Sequence, residues 1–171
     1  METIKKYLKT CGVLNLIVMG ITLFTSLYVF LIERALIQQY INSFEGTGTG
    51  IGLGFLLVFF IIAAVIMLAF ALGELIIGLV LLTNAKRTEF KNTPVRGVVA
   101  GVVAMLLSAA GFAFFCIFSF DTAGISVVSR VLYGAGLLVC VGSAIANIVF
   151  SVLIRNEEME MKKESVTEFF Y

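Results

Sequence analysis

Glu74 is the residue in this chain with the most chemistry to offer. It sits inside an unbroken apolar stretch, nine residues before Thr83, which places it about 13 Å from the end of a helix rising 1.5 Å per residue. An ionised carboxylate at that depth in a bilayer costs about 2.5–3.5 kcal/mol. Asn147 lies seven residues before Ile154, at a similar depth if both stretches are helical. Thr22 and Ser108 are expected near the same level. Two uses fit this layer. Glu74 handles a proton or a cation between helices, or its carboxyl bonds to Asn147 or Ser108 and holds helices together. Such interhelical bonds average about 0.6 kcal/mol. The second use is favoured, because Glu74 has no cationic partner in any apolar stretch and sites that transport or catalyse gather several convergent groups.

Other chemistries fail on residue type. The chain has no histidine, which removes imidazole bases, His-ligated metals and haem. Cys11, Cys116 and Cys140 are scattered without a C-x-x-C pair, so no dithiol motif exists. No cluster of acids or nucleophiles lies at headgroup level. A non-enzyme with no cofactor and no metal is expected. Net charge is +1, which gives a nucleic acid nothing to bind.

The elements that must position Glu74 follow from composition. Of 171 residues, 60% are hydrophobic and 13% charged, against roughly 25% charged in soluble domains. Mean hydropathy is +1.08. Four stretches reach the roughly 20 apolar residues that a membrane-crossing helix needs: about 12–32, 55–83, 97–120 and 128–154. In lipid each must satisfy its backbone internally, so each is helical. The first stretch runs on past the length of a signal sequence and no A-x-A site follows it, so it is read as retained. The expectation is an all-α, four-helix transmembrane bundle of two sequential antiparallel hairpins (residues 12–154), with tails at 1–11 and 155–171.

Basic residues orient it. Lys5, Lys6 and Lys9 precede the first span. Lys86, Arg87, Lys91 and Arg96 lie between the second and third. Arg155, Lys162 and Lys163 follow the fourth. The positive-inside rule places both termini and the middle connection in the cytoplasm. No N-x-[ST] acceptor occurs, which favours a bacterial cell membrane over a eukaryotic one.

Each span carries one stripe of small and polar residues. These are Asn15, Thr22 and Ser26; Ala64, Met67, Ala71, Glu74 and Gly78; Gly97, Gly101, Ala104, Ser108 and Gly111; and Gly136, Cys140, Ser143, Asn147 and Ser151. Spacings of three and four put each set on one helical face. Without a hydrophobic drive inside lipid, small residues let helices approach, so Gly97, Gly101, Gly111, Gly136 and Ser143 are expected at helix contacts. Leu36, Ile37, Tyr40, Ile41 and Phe44 share a face, predicting an amphipathic extension of the first helix. The glycines from Gly46 to Gly54 read as a flexible turn. Residues 84–96, with Pro94, read as a basic loop able to touch anionic lipid. Asp121–Ser126 reads as a tight turn. The tail after Ile154 reads as a short solvated helix, and Phe169-Phe170-Tyr171 as an end that settles on the membrane surface.

The four-span layout resembles that of several tetraspan families, without their signatures. The outer Cys-Cys-Gly of tetraspanins and the tryptophan of claudins are absent. The membrane Glu of small multidrug exporters lies in the first helix, whereas Glu74 falls in the second. The sequence therefore favours an accessory or structural subunit. It would contact membrane lipids and other membrane proteins, or itself as a homo-oligomer. The alternative is a small oligomeric transporter or channel working through Glu74.

Overall fold

The computed structural model describes residues 1–43, 48–86, 94–121 and 127–168. Within them the chain is all helical. Helix α1 spans Glu2–Tyr28 and passes through a π-helical turn, Val29–Glu33, into α2, Arg34–Asn42. Tyr28, Glu33 and Arg34 keep right-handed helical dihedrals, so α1, the π turn and α2 form one continuous rod. Helix α3 spans Gly48–Lys86, α4 Pro94–Asp121 and α5 Val127–Glu168. Four helices are long and apolar enough to cross a membrane, with candidate spans Glu2–Asn42, Gly54–Lys86, Val95–Phe118 and Val127–Lys163.

The helices overrun the stretches that hydropathy marks. At the N-terminal side, Ile4, Leu8 and Cys11 are buried against Leu81 of α3, Val98 of α4 and Ile154 of α5. The segment read as a tail is thus the first turns of α1, drawn in by one apolar residue per turn. Glycines from Gly48 onward belong to α3 rather than to a turn. A helix satisfies its own backbone where lipid offers no partner, and that outweighs glycine's cost. Pro94 opens α4, where its missing N–H would have no intrahelical partner anyway. Helix α5 continues to Glu168 without a break. Of the amphipathic extension, Ile37 is buried and Leu36, Tyr40 and Ile41 are half-buried. Phe44, the 122–126 connection and Phe169–Tyr171 lie outside the described residues.

Close approach is set by glycine. Helices α1 and α3 cross where Gly12 and Gly78 meet. A Cβ on Gly12 would stand 2.8 Å from Leu82 Cγ, and one on Gly78 3.0 Å from Leu16 Cδ2. Between α4 and α5, a Cβ on Gly136 would stand 2.2 Å from Phe112 Cε1. Gly111 makes room for Met67, Gly97 for Leu81 and Gly101 for the Asn15 amide. Ser143 is buried on α5.

Two apolar clusters result. One gathers Ile4, Leu8, Cys11, Leu81, Val98 and Ile154 at the lysine-rich end. The larger one is built on Phe60, Met67, Met105, Phe112, Phe115 and Tyr133. Its rings interlock: Phe115 lies 5.1 Å from Tyr133 and 5.3 Å from Phe60. Asn15, Glu74 and Asn147 fall between the two clusters in chain position, and all are fully buried. The outward faces carry large apolar side chains such as Phe24, Leu31, Phe55, Ile76, Leu138 and Ile145, as lipid contact requires.

Candidate functional site: two buried carboxyls

Glu74 reaches the bundle interior from α3 with no exposed surface. Ser108 of α4 donates a hydrogen bond to its Oε1 at 2.7 Å. The Thr22 hydroxyl of α1 and the Cys140 thiol of α5 face the same region. Glu74 Oε2 and Thr22 Oγ1 have no hydrogen-bond partner. All four helices therefore meet at this carboxyl, and only its Oε1 is in close hydrogen-bond geometry.

Asn147 stands slightly apart. Its Nδ2 donates to Met105 Sδ at 3.4 Å and its Oδ1 has no partner. Met105 precedes Ser108 by three residues, or about 4.5 Å of rise. The structure thus brings Glu74, Ser108 and Thr22 together, while Asn147 joins the layer next to them. Asn15 lies nearer the lysine-rich end. It donates to the Cys11 carbonyl at 2.9 Å and occupies the space over Gly101.

Sequence reasoning missed Glu33. This second carboxyl closes the π turn and is fully buried. Tyr133 of α5 faces it, but neither Glu33 oxygen nor the Tyr133 hydroxyl is in hydrogen-bond geometry with any partner. Beside them the Tyr28 and Ser129 hydroxyls pair at 3.1 Å. The signal was present in the sequence. Asn15, Thr22 and Ser26 recur at spacings of seven and four, and Glu33 follows Ser26 by seven, on the same face.

Between the carboxyls, α1 presents Thr22, Thr25 and Ser26, all buried. Ser26 Oγ donates to the Thr22 carbonyl at 2.8 Å, whereas Thr25 Oγ1 has no partner. Thr22 and Glu33 are eleven residues apart, about 16 Å along the helix. Polar groups thus recur along one face of α1, from the layer of Glu74 to Glu33.

A buried polar group left without a partner costs about 1–3 kcal/mol. Several such groups on facing helices are more than packing needs. Carboxyls and hydroxyls can accept, hold and release protons. Among the described residues no three His, Cys, Asp or Glu side chains gather as metal ligands.

The cavities among the described residues include three on the outside of the bundle that neither carboxyl lines. One of about 660 Å³ lies among lysines where α1 begins and α3 ends. Apolar grooves of about 290 Å³ and 340 Å³ run between α1 and α3 and between α3 and α4.

Fold and site together fit an integral, multi-pass membrane protein with a four-helix bundle and a polar interior. No protein-family model, curated protein or solved structure matches the chain.

Proposed function

We propose that this chain is a non-enzymatic, proton-handling membrane bundle in which Glu74 and Glu33 are the exchanging groups. The observation that carries this reading is Glu33. It is a fully buried carboxyl that faces Tyr133 of α5 with neither oxygen in close hydrogen-bond geometry. Ionisable residues inside membrane bundles mark ion and proton pathways. Glu74, fixed by Ser108 on one oxygen, takes up the proton. Thr22, Thr25 and Ser26 line the way toward Glu33, whose carboxylate receives it there opposite the Tyr133 hydroxyl. The 16 Å between the two levels is too long for one transfer, so transit requires water admitted as the helices move.

In this reading the four spans form two sequential hairpins, and the lysine-rich end faces the cytoplasm with both termini. Cysteines introduced as Lys6→Cys and Gln38→Cys should then label from opposite sides of sealed vesicles.

Proteoliposomes holding a pH-sensitive dye test the function. The wild-type protein should pass protons down an imposed gradient. Glu74→Gln and Glu33→Gln should each lower the rate at least about tenfold, the equivalent of about 1.4 kcal/mol on the barrier. Flux equal to that of empty vesicles, or unaltered in both variants, refutes the proposal.

The second reading, an accessory subunit, draws on the α3–α4 groove. There Met67 and Gly111 form a recess between lipid-facing Phe59, Ile66 and Leu107. A photo-crosslinker at Ile66 should capture a neighbouring membrane protein or a second copy of the chain. Capture of lipid alone removes this reading.

A further inference from the structure

We propose that the cavity at the lysine-rich end binds a phosphate-bearing group, and that in the membrane this group is the headgroup of an anionic phospholipid. The site rests on two helix faces that meet. On α1, Lys5, Lys6 and Lys9 line the cavity, with a spacing that puts them on one side of the helix. The opposite side holds Ile4, Leu8 and Cys11, which are buried in the bundle. On α3, Leu82, Ala85 and Lys86 line it from across the gap. The Gly12–Gly78 crossing brings the two helices together one turn away.

Four ammonium groups therefore surround an opening of about 660 Å³, within the roughly 300–1,000 Å³ of small-ligand sites. Glu2 is the one carboxylate in the lining, leaving three positive charges in excess. Lys6, Lys9 and Lys86 are exposed, and among the described residues no carboxylate forms an ion pair with them.

Depth selects the ligand. Lys5, Lys6 and Lys9 come just before the apolar run of α1, and Lys86 three residues after the apolar run of α3 ends at Thr83. Their charges stand at headgroup level, while Leu82 and Ala85 extend the wall toward the hydrocarbon. A phosphodiester with acyl chains satisfies both parts. A soluble phosphate satisfies only the charged one. This inference is independent of what Glu33 and Glu74 do.

The test is lipid selectivity in phosphatidylcholine vesicles carrying a trace of spin-labelled phosphatidylglycerol or phosphatidylcholine. The readout is the share of each label immobilised on the protein. A lysine near an anionic surface contributes about 1 kcal/mol, or about fivefold. The wild-type protein should retain the phosphatidylglycerol label several-fold over the phosphatidylcholine label. Lys6→Gln/Lys9→Gln/Lys86→Gln should bring the ratio close to one. Arg155→Gln/Lys162→Gln/Lys163→Gln removes equal charge outside the cavity and should leave the preference in place. Preference surviving the first triple, or lost equally in both, overturns the proposal. Inorganic phosphate separates the sources: displacement of the label assigns the cavity to soluble phosphate, and no displacement assigns it to lipid. If the wild-type protein shows no lipid preference, phosphorus NMR decides. Inorganic phosphate binding that the first triple abolishes keeps the site as one for soluble phosphate, and no binding ends the proposal.

Discussion

The packing of α4 on α5 allows a sharp test at Gly136. A Cβ added there would lie 2.2, 2.5 and 2.6 Å from three atoms of the Phe112 ring. Ordinary carbon contact begins at roughly 3.5 Å, so the ring must withdraw by about 1.3 Å. It has little room, because Phe112 is fully buried within the larger apolar cluster. Gly136→Ala is therefore expected near the upper end of overpacking costs, about 3 kcal/mol. Phe112→Leu removes the obstructing atoms and should cost about 1–2 kcal/mol alone. The double variant should cost little more than Phe112→Leu, giving an interaction energy of about 2–3 kcal/mol. The assay is reversible unfolding in mixed micelles of a mild detergent and dodecyl sulfate, read by helicity for all four proteins of the cycle. Additivity within about 0.5 kcal/mol would refute the claim that this contact fixes the distance between the helices.

Three further outcomes follow from the same reasoning. Glu33→Met should stabilise the protein by about 1–3 kcal/mol, because it removes a buried carboxyl with neither oxygen in close hydrogen-bond geometry, while abolishing proton flux. A loss of stability in the same micelle assay would show that Glu33 is structural. Gly101→Ala places a methyl 2.8 Å from Asn15 Nδ2 and should break the Asn15 bond to Cys11, costing about 1–3 kcal/mol. Asn15→Ala should suppress most of that cost, and failure to do so would place the strain elsewhere. Cys11 and Cys140 are fully buried and should resist a water-soluble maleimide until the protein is unfolded. Their labelling in the native state, read by mass spectrometry, would contradict the packing.

Much of the scaffold was legible because lipid narrows the choices. Apolar runs of sufficient length had to be helices, and stripes of small residues had to mark faces. Depth offered Ser108 and Asn147 as partners for Glu74, and the structure gives the bond to Ser108. Depth alone does not say which way a side chain turns around the helix axis. Asn147 lies beside the layer and bonds to Met105, while Cys140 of the same helix faces the carboxyl. Glu33 was lost for another reason. The 20-residue rule closed the first span at Ile32, and a charge one residue beyond a span reads as its boundary. Hydropathy locates where a helix meets oil and is blind to where the same helix is covered by its neighbours.

The π turn at Val29–Glu33 takes up one residue more than an α-helical turn would, so it is the place in the first helix where chain length has slack. Substitutions within that turn alter one contact each. Removing a single residue from it lets the segment return to α geometry and leaves the residues beyond facing nearly as before, so Ile37 keeps its buried place. The same deletion in the regular helix on either side has no such slack and rotates everything beyond by about 100°. Single-residue deletions should therefore be accepted within residues 29–33 and rejected in the flanking turns, a bias that a random-length library across residues 22–40 would expose directly.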